Sequence, residues 1–184
     1  MPHTGPAYVE LEKLIPKFKE LNPKSMLYVG WRHDCNPWWH AKFAKGLGIE
    51  KLAIIEINDG NYRGFLSTKK DYDCDAYHGD VREIENYISK SQFDIIFWDH
   101  GPEHVSWDDL KKVTPKLLDF SGKLLLYCCP LGDWPQGAEG GNPHEEHKNS
   151  VTTDQFKDLG LEYVTMGEPG VSTLGEIIGY KVKS

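Results

Sequence analysis

Leu11, Leu14, Ile15, Phe18 and Leu21 fall at the spacing of one helix face, so residues 1–24 open the chain as a helical segment. Pro16 kinks or restarts that helix, and Asn22-Pro23 ends it. The pattern then changes. Met26–Val29 is a short unbroken apolar run that stops at Gly30, as a strand buried on both faces does. Asn36-Pro37 opens a second helix with proline at its first position, and Gly46 suits its C-terminal cap. Leu52–Ile55 is a second strand ending at Glu56, followed by a short helix punctuated by glycine. Asp75–His78 is a weaker third strand that exits through Gly79-Asp80. Asp80 and Glu83 have capping-box spacing for a helix through Ile84 and Ile88. Phe93–Trp98 is the fourth strand and Leu124–Cys128 the fifth. Between them Leu110, Val113, Leu117 and Leu118 mark a helix that Pro115 must bend.

From Pro130 to Ser150 runs a long loop rich in Gly and Pro, and a loop of that length inside a compact domain usually serves a function. Thr152 and Gln155 cap a last helix that Gly160 closes. Glu162–Met166 and Glu176–Val182 are two strands around a Pro/Gly/Ser loop, which predicts an antiparallel pair. Strands alternating with helices predict an α/β fold of one domain over residues 1–184, its sheet mostly parallel with helices on both faces.

Composition narrows the function. The 184 residues are 39% apolar and 27% charged, the balance of a soluble domain with a core. A net charge of −7 argues against a nucleic-acid partner, because phosphate backbones are gripped by clustered Lys and Arg. No apolar run approaches the length of a membrane span, and the N-terminus lacks the basic and apolar regions of a signal peptide. Cys35, Cys74, Cys128 and Cys129 form no CxxC pair, which suits a reduced, cytoplasmic setting and not a thiolate zinc site.

The chemistry concentrates where Ile95–Trp98 gives way to Asp99-His100-Gly101-Pro102-Glu103-His104. In open α/β sheets, ligands bind just beyond the carboxyl ends of parallel strands. This strand running into a segment that ends in Glu-His resembles the fourth motif of class I S-adenosylmethionine-dependent methyltransferases. The order of elements after residue 25 resembles that family too, through its antiparallel seventh strand. The resemblance implies a Rossmann-like sheet of seven strands, mostly parallel, with a C-terminal antiparallel hairpin. It also implies S-adenosylmethionine as cofactor and a small-molecule or glycan methyl acceptor.

Gly30 ends the first strand where the backbone must approach a cofactor closely, but the family's further glycines are replaced by Trp31-Arg32-His33-Asp34-Cys35, which leaves open whether Trp31 closes over the ligand. Glu56, with Ile57 beside it, can accept both ribose hydroxyls. By resemblance Asp80 and the Val81 amide meet the adenine, and Trp98 and Asp99 line the adenine or methionine part. Each has a plainer use: Gly30 as a strand end, Glu56 as a helix-capping or surface carboxylate, Asp80 as a helix N-cap, Trp98 as core.

By resemblance His100, Glu103 and His104 match the metal-holding carboxylate, carboxylate and histidine of ubiquinone-type O-methyltransferases, but many relatives use the Glu-His pair only to pin the loop, and that metal-free role is the expectation here. His100, His144 and His147 are the candidate general bases, since imidazole titrates near neutrality. The polar cluster and the loop around residues 142–147 are expected to form the floor and lid of one acceptor site. The chain holds little beyond the minimal fold, so the pocket is shallow or is completed by another copy in a homo-oligomer. A catalytically inactive nucleotide-binding or scaffold module, a NAD-dependent oxidoreductase and a metal-dependent hydrolase remain as rival readings.

Overall fold

A computed structural model describes residues 6–31, 43–68, 74–170 and 175–183. Helix α1 (Pro6–Lys19) leads into β1 (Ser25–Val29). Beyond a helical turn at 43–47 come β2 (Lys51–Glu56), α2 (Asp59–Thr68) and β3 (Cys74–His78). A 3-10 segment (Val81–Asn86) precedes β4 (Phe93–Asp99), and a shorter one (Pro102–His104) precedes α3 (Trp107–Phe120). Strand β5 (Ser121–Pro130), α4 (Thr153–Asp158), β6 (Glu162–Met166) and β7 (Glu176–Val182) complete the fold.

The seven strands lie in one sheet in the order β3-β2-β1-β4-β5-β7-β6. The first five in sequence pair in parallel, and β7 inserts antiparallel between β5 and β6. The chain steps outward from β1 to β3 and then returns to place β4 on the other side of β1. That reversal opens a crevice at the carboxyl ends of β1 and β4, the place where such sheets bind ligands.

Strand side chains alternate between two cores. Leu124, Leu126 and Cys128 of β5 face α1 and the helical turn at 43–47, while Leu125, Tyr127 and Cys129 face α3 and α4. This double burial explains why the strands read as unbroken apolar runs. Cys128 and Cys129 are buried free thiols, and Cys74 is buried with its Sγ 3.2 Å from Asp75 O. Within the second core the Tyr127 hydroxyl donates to Thr114 Oγ1 at 3.0 Å, fully buried. Removing it with Tyr127→Phe should cost about 1 kcal/mol, the scale of one buried neutral hydrogen bond, read as a shift in a urea-unfolding midpoint.

Both hairpin strands keep their expected limits, and Thr152 with Gln155 forms the expected capping box. Several local expectations change. Strand β5 is longer at both ends than its apolar run. Helix α3 continues through Pro115. The helix expected after Asp80 is a 3-10 segment without a capping box: Asp80 accepts from the Arg82 amide, because the Arg82 guanidinium folds back on the same carboxylate. The helical turn at 43–47 runs through Gly46 and ends at Gly48, while its expected start at Asn36-Pro37 lies outside the described residues. Helix α1 is anchored across the fold, its Ala7 amide donating to Glu176 Oε2 of β7 at 2.8 Å. A buried carboxylate thus meets the positive end of the first helix.

Candidate functional site

The carboxyl ends of β1 to β5 open onto a cavity of about 340 Å³, within the size range of small-ligand sites. The ladder hydrogen bonds continue one residue past the strand ends. Gly30 N donates to Ile55 O (2.9 Å), Gly79 N to Glu56 O (2.9 Å) and His100 N to Cys128 O (2.7 Å), so the turn residues are fixed to the sheet that carries them. Gly30 has φ +80, and the nearest atom to an added Cβ would be Asp99 O at 3.7 Å. Glycine is therefore required here by the backbone conformation and not by crowding.

Glu56 stands at the end of β2 with 4% of its surface exposed. Its Oε2 accepts from Trp31 N and its Oε1 from Asn58 N, both at 2.6 Å. Burial pushes the carboxyl above its ordinary range, and the backbone donors of Trp31, Asn58 and Ile57 oppose that. Glu56 and Ile57 both line the cavity. The Trp31 ring packs edge-on against Phe65 at 5.4 Å and is 5% exposed, so its amide, not a swinging indole, shapes this end.

Asp80 begins the next wall. Its two oxygens are taken by Arg82 Nε, one guanidinium nitrogen and the Arg82 amide at 2.6–3.0 Å. Burial raises this carboxyl, but Arg82 outweighs it and holds it below the ordinary value. Val81 lies beside it on the cavity wall.

Past β4 the backbone turns sharply. His100 has φ +48, and Gly101 lies directly on the Trp98 indole. Asp99 Oδ2 accepts from Tyr28 Oη at 2.7 Å, with Tyr8 Oη at 3.4 Å. Neither tyrosine is among the sequence candidates. A tyrosine inside a buried strand reads as core, and Tyr8 comes from the far end of the chain.

His100 Nδ1 lies 3.5 Å from Glu103 Oε1, and its side chain is 32% exposed because it forms part of the cavity floor. Burial beneath protein atoms works to lower its pKa. The Glu103 contact and the charges of Asp99, Glu103 and Glu176 outweigh that and raise it to about 9. Glu103 is 2% exposed. Burial raises its carboxyl, and the His100 contact and the charge of His104 bring it below its ordinary value.

The loop after β5 folds onto this cluster. Glu103 O accepts from Lys148 N (2.8 Å) and Asn149 N (3.1 Å), and the His104 and His147 rings meet edge-on at 4.9 Å. His147 Nδ1 is 2.6 Å from Trp134 O. His147 therefore joins Glu103 and His104, whereas His144 does not. His144 is exposed at the Asp80 end, where its charge acts on Asp80, and the charge of neighbouring Glu145 acts on Glu56. The loop therefore covers the Glu56–Asp80 side of the cavity as well as the histidine side.

Among the described residues, Asp99 Oδ1, Glu103 Oε2 and Trp134 Nε1 are buried without a hydrogen-bond partner, and all three residues line this cavity. Unpaired buried polar atoms are costly. Their concentration in one crevice marks it as built for a polar ligand.

No protein-family model matches the sequence, and no curated protein matches it. Solved structures match nearly the whole chain. A SAM-dependent methyltransferase from Archaeoglobus fulgidus aligns with TM-score 0.65 at 14% identity, covering 96% of this chain and 93% of that one. The magnesium protoporphyrin IX methyltransferase from Synechocystis, solved with bound SAH, gives 0.64 at 9% identity, covering 97% and 84%. The mitomycin 7-O-methyltransferase gives 0.61 at 12% identity over 96% of this chain, which spans 54% of that enzyme's length. At these identities the likeness establishes a class I methyltransferase-like fold, and the chemistry must be argued from the residues.

Proposed function

We propose that the protein is an S-adenosylmethionine-dependent methyltransferase acting on a small-molecule acceptor. The observation that carries this reading is the buried Glu56 carboxylate, tied to the Trp31 amide and open to the cavity beside the sheet's switch point. A carboxylate so placed accepts a pair of vicinal hydroxyls, the ribose of a nucleoside. Val81 and the Asp80 edge lie where an adenine would follow, and the Gly30 turn and Asp99 lie where the amino-acid part would extend.

S-adenosylmethionine supplies an electrophilic methyl group on a sulfonium centre. The protein's own residues have to bind, orient and keep out water. Asp99, held by Tyr28, and the Trp98 indole give the cation a carboxylate and an aromatic neighbour. The acceptor would lie toward Glu103, His104 and His147, under the loop that Glu103 O clamps through Lys148 and Asn149. Positioning of the two partners accounts for much of the rate in such a displacement. His100 and His147 stand at this end, and His144 stands over the nucleoside end.

The test is a calorimetric titration of the protein with SAH and, separately, with NADH. SAH is expected to bind at one site with micromolar affinity, and NADH to bind far more weakly. Tight NADH binding without SAH binding would replace this reading with the oxidoreductase, since a ribose carboxylate serves both nucleosides. Binding of neither would leave the scaffold reading.

A further inference from the structure

Both histidine contacts of Glu103 fall on one of its oxygens. His100 Nδ1 lies 3.5 Å and His104 Nε2 3.8 Å from Oε1, while Oε2 is buried without a hydrogen-bond partner. Asp99, 5% exposed, repeats the pattern: Oδ2 takes the tyrosine hydroxyls and Oδ1 is left over. Both residues line the cavity. A carboxylate oxygen only accepts, and leaving it bare inside the protein is costly, so each of the two calls for a donor from a ligand.

His100 faces Asp99, Glu103 and Glu176 together, and one imidazolium cannot balance three buried carboxylates. The donor that fits is therefore a cationic one. Tyr8, Tyr28, Trp98 and Trp134 line the same cavity, and aromatic faces favour cations. Trp134 adds the opposite demand. Its Nε1 is buried and unpartnered, and an indole N–H only donates. The Trp134 carbonyl lies 2.6 Å from His147 Nδ1, and His147 places a ring nitrogen within 4.8 Å of a Glu103 oxygen. Donor and acceptor thus belong to one corner of the cavity.

We infer that the acceptor is a primary amine that also carries an oxygen, bound as its ammonium ion with an N–H on Glu103 Oε2 and its oxygen at Trp134 Nε1. Asp99 Oδ1 is left for the cationic part of the cofactor. The ligand's role as acceptor rests on the methyltransferase reading, whereas its binding does not. An ammonium nitrogen has no lone pair, so it has to release a proton before it can take a methyl group. His147 stands where it can receive that proton. Its Nδ1 faces the Trp134 carbonyl, which only accepts, so Nδ1 carries the ring proton and Nε2 keeps a lone pair. The backbone of this corner is already fixed by the Lys148 and Asn149 amides on Glu103 O.

Two pairs of probes differ only in ammonium against hydroxyl: ethanolamine against ethylene glycol, and tyramine against 4-hydroxyphenethyl alcohol. Each is titrated calorimetrically into the protein alone and into the protein with SAH. Each amine is expected to bind about tenfold or more tightly than its hydroxyl counterpart, the scale of a hydrogen bond between charged groups. Choline keeps the charge but has no N–H, and should bind no better than ethylene glycol. Glu103→Gln should remove the preference for amines. Trp134→Phe should weaken both members of each pair alike, by about two- to tenfold, and leave the preference intact. The probe comparison on the parent protein needs no variant, so it decides the matter even if Glu103→Gln fails to fold. No amine binding, hydroxyl compounds that bind as tightly as the amines, or a preference that Glu103→Gln leaves intact would each overturn the ammonium site. An amine preference in a protein that does not bind SAH keeps the site and removes its role as acceptor. SAH binding without the preference keeps the methyltransferase reading and overturns the amine.

Discussion

Glu56→Ala is expected to weaken SAH binding by about 1–3 kcal/mol, the scale of hydrogen bonds to a charged group. That corresponds to a roughly 5- to 150-fold rise in Kd. The carboxylate is buried at the end of β2, and its geometry is set from both sides by the Trp31 and Asn58 amides. Removing it takes away the proposed ribose acceptor and also unpairs two backbone donors, so part of the loss will come from a looser turn. Glu56→Gln is the milder change: it keeps the shape and one acceptor oxygen, so one of the two amides stays paired while the other faces an NH2, and it should bind SAH with intermediate affinity. The pH dependence follows from the same burial. Desolvation lifts the Glu56 pKa above its ordinary value, so protonation begins at a higher pH than for an exposed carboxylate. The protonated acid offers less to the ribose, and affinity should fall as pH drops through that raised pKa. The Glu56→Gln protein should lose this dependence. Unchanged affinity in a folded Glu56→Ala protein would place the nucleoside elsewhere.

Glu56 was legible in the sequence because a carboxylate ends a run of buried aliphatic residues, and such a break has few structural explanations. The same logic exposed the cluster after β4. The hairpin strands are legible because Gly160 precedes the first and a Pro/Gly/Ser loop separates it from the second. The failures share a cause. The 3-10 segment after Asp80 departs from the expected helix because a neighbouring guanidinium competes for the cap, and spacing rules do not see side-chain competition. His147 is a candidate base in the sequence, yet its joining of Glu103 and His104 depends on the loop after β5 folding back onto the turn after β4. Tyr8, Tyr28 and Glu176 escaped notice for a related reason. Each contacts its partner across a long stretch of chain, and periodicity records only which face of an element is buried, not what crosses the interior to meet it.

Gly101→Ala should be the most damaging small substitution at the site. The Gly101 backbone has φ −138, which any residue can adopt, so conformational strain is not the issue. Space is. A Cβ at this position would fall 1.5 Å from Trp98 Nε1, in steric overlap with the indole. Trp98 is 5% exposed and packs edge-on against Tyr127 at 5.8 Å, so the ring has little room to withdraw. Either the indole leaves its rotamer or the turn carrying His100 and Glu103 lifts from the sheet. Overpacking of this kind costs about 1–3 kcal/mol and sometimes more. For a domain of this size that is a fall in Tm of roughly 2–12 °C, measurable by calorimetry. Because the turn also places His100 and Glu103 on the cavity wall, SAH affinity should drop in any fraction that folds. The companion Trp98→Phe change removes part of the obstructing ring, and combined with Gly101→Ala it should restore some of the lost stability. A Gly101→Ala protein with the Tm of the parent would mean that the indole does not rest on this turn, and the geometry of the whole β4 exit would need revision.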